Sequence, residues 1–294
     1  MDIFDNELEI IELFRETETR ETLLLPENDE NAEQVYLSIV QEWEKWTNSS
    51  GKSDPPPDFF SDELGYMMDI MRVDDHGHLG RNGKSIINPT LQRESEVMRE
   101  LKQKGILDMF PNAKPHLIVD TKLPTDEDHN YIFYRDNFNR TIGSHIKKVA
   151  NYRLNHPGLK TVFFVFDESS PYFESLEPHK ERKIGDVQYG KPHLWFWDNA
   201  FMTLVKNSDI DYLVWFTPYK HCDLFSSVNG RIELPVAVVI NVRNIETPFI
   251  QYKTSIKGTR NIHEETKTSL QHDRCSKQHI KSFTTNRRRI HIEK

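Results

Sequence analysis

Ile106-Leu107-Asp108-Met109-Phe110-Pro111-Asn112-Ala113-Lys114-Pro115-His116-Leu117-Ile118-Val119-Asp120-Thr121-Lys122 reads as two short apolar strands joined by a Pro/Asn turn. An acid sits on the first strand and the second ends in Asp-x-Lys. Residues two apart on a strand share a face, so Asp120 and Lys122 project together. Asp108 reaches the same face when the hairpin pairs in register. A hard divalent cation such as Mg²⁺ (or Mn²⁺) is held by one or two carboxylates plus water and substrate phosphate, which Asp108 and Asp120 are suited to supply. Lys122 beside that ion would position a water molecule or steady charge on a phosphate.

Upstream of the hairpin, Asn88-Pro89 opens a helix, with Asn88 as the cap and Pro89 in the first turn. It runs to about Lys104 and stops at Gly105. Leu91, Val97, Met98 and Leu101 make its apolar stripe. Glu94 falls on that stripe, whereas Glu96 and Glu100 fall away from it. A carboxylate facing a core needs a cation or a donor. Downstream, residues 124–140 read as an irregular polar stretch. A helix then starts at Thr141 or Ser144 and continues to His156, ended by Pro157-Gly158. Ile142, Ile146, Val149 and Ala150 form its inner stripe, and His145, Lys148 and Tyr152 a second one. Lys160-Thr161-Val162-Phe163-Phe164-Val165-Phe166-Asp167 is almost continuously apolar, as a strand covered on both faces should be. Strand, helix, strand in that order predicts a right-handed parallel crossover, with the strand ending at Lys122 beside the strand 160–167.

This succession resembles the restriction-endonuclease-like PD-(D/E)XK nuclease superfamily. In that resemblance Asp108 matches the first acid and Asp120-Thr121-Lys122 the second acid and lysine. Glu94 matches the carboxylate of the preceding helix. Lys148-Val149-Ala150-Asn151-Tyr152 resembles the Q-x-x-x-Y signature, with lysine in place of glutamine. The family core has three strands between its two helices where only two are evident here. The third comes from 124–135 or from before residue 88, with Asp74 or Asp75 as substitutes for Asp108. The resemblance implies an α/β fold with a mixed sheet flanked by helices, and an Mg²⁺-dependent endonuclease hydrolysing DNA phosphodiester bonds. Asp108 and Asp120 would hold the ion, Glu94 would assist and Lys122 would position water. His145, Lys148 and Tyr152 would contact nucleic acid. A role in restriction, defence or a mobile element follows by analogy. The competing reading is a non-catalytic protein that keeps this fold to bind nucleic acid or protein, and a third is a helper subunit of a nucleoprotein machine.

The rest of the chain sets bounds. Its 294 residues suffice for one large core, and a net charge of −8 argues against a uniformly basic nucleic-acid binder. The charge is uneven: residues 1–60 hold sixteen acids and four bases, residues 251–294 eleven bases and four acids. This pattern divides the chain into an acidic helical segment and linker at 1–57, a core at 58–256 and a basic tail at 257–294 that is disordered or folds on a partner. Expected partners are DNA, a protein engaged through the acidic head or the basic tail, and a second copy of the chain. Within the head, residues 7–20 read as a short amphipathic helix and residues 32–46 as a clearer one, followed by a linker at 48–57. Residues 66–73 read as a strand, Asp74-Asp75-His76-Gly77-His78 as a solvated loop, and residues 84–87 as another strand. A second unit follows, with residues 193–197, a helix at 199–206 and a buried-strand-like apolar run at 211–216, and residues 234–252 are strand-rich, so the sheet extends beyond the minimal core. Two cysteines, Cys222 and Cys275, without an evident signal peptide point to a reducing cytoplasm. No apolar run approaches membrane-spanning length.

Overall fold

The computed structural model describes residues 7–17, 22–49, 57–75, 78–79, 86–87, 96–97, 99–105, 130–169, 171–175, 190–218, 220, 223–226, 230–253 and 256–258. In chain order these form α1 (Glu7–Glu16), β1 (Thr22–Leu25), α2 (Glu30–Val40), β2 (Thr47–Asn48), β3 (Phe59–Ser61) and β4 (Tyr66–Val73). A two-stranded hairpin of β5 (His78–Leu79) and β6 (Ile86–Ile87) follows, and residues 96–97 and 99–103 are helical. Next come α3 (Tyr131–Ile146), α4 (Val149–Asn155), β7 (Lys160–Asp167), β8 (Tyr172–Ser175) and β9 (Gly190–Pro192). The remainder is α5 (Asn199–Lys206), β10 (Tyr212–Phe216), the hairpin β11 (Asp223–Ser226) and β12 (Gly230–Glu233), β13 (Ala237–Asn241) and β14 (Ile256–Gly258).

Seven strands make one mixed sheet in the order β1-β13-β10-β7-β4-β3-β2. β4, β7 and β10 run parallel, with α3 and α4 on one crossover and α5 on the next. β13 returns antiparallel to β10, and β3 antiparallel to β4. The apolar run of β7 explains its central place. Phe163 and Val165 enter a core shared with α3 and α5, while Val162, Phe164 and Phe166 enter a second core under α1 and α2. Burying each such side chain is worth about 1.5–3 kcal/mol. Local signals fix the helix ends: the Asp29 carboxylate accepts the Ala32 N–H at the start of α2, and Asp198 accepts the Ala200 N–H at the start of α5. The predicted stop at Gly105 is borne out, with that residue at φ +67°.

The strands at 66–73 and 160–167 and the helix at 199–206 form as read from sequence. Four expectations are corrected. First, the acidic head is part of the core and no boundary falls at residue 57. β1 pairs with β13, β2 with β3, and Phe14 of α1 packs edge-on against Phe164 at 5.2 Å and Phe216 at 5.1 Å. Phe14→Ala should therefore cost about 3–5 kcal/mol of unfolding free energy in a denaturant titration; a loss under about 1 kcal/mol would mark the head as peripheral. Second, the supposedly irregular stretch is largely α3, which buries Tyr131, Tyr134, Phe138 and Ile142 on one side. The helix expected to run unbroken to His156 is interrupted between α3 and α4, and Ala150 of its expected inner stripe is exposed. Third, β7 has β4 on one side and β10 on the other, so the place predicted for the strand ending at Lys122 belongs to β4. Fourth, the helix read over 32–46 is α2 followed by a separate 3-10 turn at Trp43–Lys45. The basic tail from residue 259 lies outside the described residues. Among the described residues, no helix is long and apolar enough to cross a membrane.

Candidate functional site

Phe59 pairs with Met68 across β3 and β4, and both point into the α1/α2 core. The next positions outward, Asp58 and Asp69, therefore oppose each other on the other face, the one that carries α3 and α4. Asp69 is buried in the middle of β4, and Asp58 is half-buried at the mouth of β3. The Ile70 N–H donates to Asp58 Oδ2 at 2.7 Å. Asp69 Oδ2 takes the Tyr152 hydroxyl at 3.0 Å and His145 Nδ1 at 2.6 Å. A carboxylate oxygen between these two groups accepts from both, so the His145 proton sits on Nδ1. Burial first, and then the charge of Asp69, raise the Tyr152 phenol, which stays a donor.

Two acids face to face in partial burial resist ionising together. Burial, and next the charge of Asp69, push the Asp58 carboxyl up to about 7, with Glu7 of α1 adding to the same field. Below the ordinary carboxylate range, folded and unfolded chains both hold the Asp58 proton. Between about 4 and about 7 the folded chain keeps a proton that the unfolded chain has released, so this group's contribution to stability falls as pH rises through that window. Asp58→Asn keeps the acceptor for Ile70 and cannot ionise. Its melting temperature relative to the natural protein should rise between pH 4.5 and pH 8; a pH-independent difference would mean that Asp58 is not raised.

Of the residues singled out from sequence, His145 and Tyr152 are brought together on one oxygen of Asp69. Lys148 precedes α4, exposed and one turn before Tyr152. Glu94, Asp108, Asp120 and Lys122 lie outside the described residues. Asp58 and Asp69 were missed. Their signal is an aspartate in the middle of the apolar run Tyr66-Met67-Met68-Asp69-Ile70-Met71, preceded by Pro57-Asp58 across a short turn at Gly65. A carboxylate placed mid-strand among buried neighbours needs a reason.

The loop after β4 also departs from expectation. Asp75 is fully buried and accepts from the Tyr172 hydroxyl at 2.7 Å, and Asp74 accepts from Asn137 at 2.6 Å, so neither is a solvated loop acid. They belong to a second polar cluster at the carboxyl ends of β4, β7 and β10. There Asp167 Oδ2 accepts from Lys220 Nζ and the Tyr134 hydroxyl, each at 2.6 Å, and from Trp215 Nε1 at 2.9 Å. Nearby, His193 Nε2 and the Tyr131 hydroxyl both donate to Asp198 Oδ2. Burial holds His193 below its ordinary pKa, and so neutral, and its Nδ1 has no hydrogen-bond partner among the described residues. Asp167 and Lys220 are wholly inaccessible, so this cluster cements the fold, whereas the Asp58–Asp69 pair is open on the Asp58 side.

Among the described residues, no group of three or more His, Cys, Asp and Glu side chains is arranged to hold a metal ion. Two opposed carboxylates nevertheless meet the small protein share that Mg²⁺ takes, since that ion keeps several waters and borrows oxygens from phosphate. A bound cation would also relieve the repulsion that raises Asp58. Comparison with protein-family profiles, curated proteins and solved structures finds no match to this chain.

Proposed function

We propose that this chain is an Mg²⁺- or Mn²⁺-dependent nuclease that hydrolyses DNA phosphodiester bonds, with Asp58 and Asp69 as the carboxylates that hold the ion. The observation that carries this reading is the opposed pair of acids on adjacent strands, with His145 and Tyr152 closing over one of them. It preserves the order of the nuclease-like pattern: acid, acid on the next strand, helix with a tyrosine, then parallel strand β7. The pattern shifts toward the N-terminus, onto Pro57-Asp58 and Asp69-Ile70-Met71. Buried Met71 stands where the pattern has lysine.

The local charge supports a phosphate partner. Between Asp136 and Asp167 the chain has no acid and five Lys or Arg residues, in a protein of net charge −8. Lys147 and Lys148 are the exposed members at the joint between α3 and α4. In this reading Lys148, exposed at the joint between the helices that carry His145 and Tyr152, contacts the scissile phosphate. Tyr152 and His145 hold Asp69 in place from behind, as outer partners of a metal ligand do. A bound divalent ion supplies Lewis acidity and lowers the pKa of its water.

Incubating the purified chain with plasmid DNA in Mg²⁺ or Mn²⁺ should give nicked and linear products that EDTA abolishes. Salt-sensitive DNA binding without any cleavage would instead favour a non-catalytic binding protein with this fold, the reading that Met71 in the lysine position suggests. Asp120 and Lys122 remain a second candidate pair for the same chemistry.

A further inference from the structure

Beside the acid pair lies a pair of rings that the hydrolytic reading does not use. Phe60 is two residues from Asp58 on β3, on the same face, and pairs with Met67, which makes it the diagonal neighbour of Asp69. Its ring packs on that of His156, with centroids 4.2 Å apart and planes tilted by 36°. His156 caps α4, its backbone N–H bonded to the Tyr152 carbonyl, so the ring pair hangs from the helix that reaches Asp69. Both residues are half-buried and keep surface toward solvent. β3 is only one strand from the sheet edge, and this face of β3 meets the end of α4 at His156.

A half-open aromatic face about two strand positions from the proposed phosphate-cleaving centre, with Lys148 at the other end of the helix that His156 caps, has the chemistry of a nucleobase platform. We infer that Phe60, backed by His156, stacks an unpaired base of the nucleic-acid strand, so that the preferred substrate is single-stranded or locally unpaired DNA. This rests on the hydrolytic reading for its location but concerns which strand is bound. A base inside an intact duplex has both faces covered and cannot reach the ring. The cationic joint at Lys147 and Lys148 would track the backbone while the ring takes a base, the usual division of labour in single-strand binding.

The test is binding measured in EDTA, so that cleavage plays no part. Fluorescence anisotropy would compare a short labelled single-stranded oligonucleotide with the same strand carrying abasic sites, on the natural protein and on Phe60→Leu, which retains apolar bulk without the ring. The natural protein should bind the intact strand roughly five- to a hundredfold more tightly than the abasic one, the range of base–aromatic stacking. Phe60→Leu should lose most of that preference, and Phe60→Trp should keep it. Equal affinity for the two strands, a preference that Phe60→Leu leaves untouched, or no binding to either strand would overturn the inference. A base preference that depends on Phe60, in a protein that cuts nothing with Mg²⁺ or Mn²⁺, supports the platform and overturns the hydrolytic reading alone.

Discussion

Lys220→Met lowers the unfolding free energy by about 3–5 kcal/mol, the expected cost of stripping one partner from a fully buried ion pair. The lysine Nζ donates to Asp167 Oδ2 at 2.6 Å and to the Tyr134 hydroxyl at 2.7 Å, and lies over the rings of Tyr134 at 4.2 Å and Trp195 at 4.5 Å. Without the ammonium, Asp167 keeps Tyr134, Trp215 and the Ser169 N–H as donors, but its charge has lost the cation seated against it. Adding Asp167→Asn removes that stranded charge. The double variant should be less destabilised than the sum of the two single ones, with a coupling of about 1–3 kcal/mol in a double-mutant cycle. Chemical denaturation followed by tryptophan fluorescence suits the measurement, because Trp195 and Trp215 are both in the cluster. A loss under about 1 kcal/mol for Lys220→Met would show that the ammonium is not sealed against Asp167.

The same cluster shows what was legible beforehand and what was not. Continuous apolar runs announced β7 and β10, because a strand covered on both faces carries no polar interruption. The helix α3 was hidden by composition. Its inward positions Tyr131, Tyr134, Phe138 and Ile142 recur at helical spacing, but two of them are tyrosines among Arg, Asp and Asn, and the stretch reads as polar. Those hydroxyls are polar only at the tip. Tyr131 spends its own on Asp198 and Tyr134 on Asp167, while the rings fill the core. Long-range pairing was equally hidden. Nothing local in Thr22–Leu25 says that it will lie beside Ala237–Asn241, and register decides everything for the candidate site. A slip of one residue between β3 and β4 would turn Asp69 away from Asp58. The Asp120-x-Lys122 pattern drew attention because the motif is written in consecutive residues. The acid pair that the fold assembles is eleven positions apart and visible only once the strands are paired.

That difference defines the decisive functional experiment, in which Asp69→Asn should abolish the proposed Mg²⁺-dependent DNA cleavage. Asparagine is nearly isosteric, and its carbonyl oxygen still accepts from Tyr152 and His145, so the fold around α4 should survive and circular dichroism should match that of the natural protein. What it lacks is the negative charge that a cation needs. Loss of even an outer partner of a metal ligand typically costs ten- to a hundredfold, so loss of the ligand itself should exceed about a hundredfold in rate. Asp58→Asn should fall in the same range, and Tyr152→Phe, which removes one donor behind Asp69, should lose about tenfold. Lys122→Ala, made alongside, separates the two sets of carboxylates. If cleavage tolerates Asp69→Asn and fails with Lys122→Ala, the chemistry belongs to Asp108, Asp120 and Lys122 and the Asp58–Asp69 pair is a structural contact. If both variants fail with folds intact, Lys122 supplies the cation for which β4 offers only Met71. One substitution in each candidate pair therefore assigns the metal ligands and locates the cation that faces the phosphate.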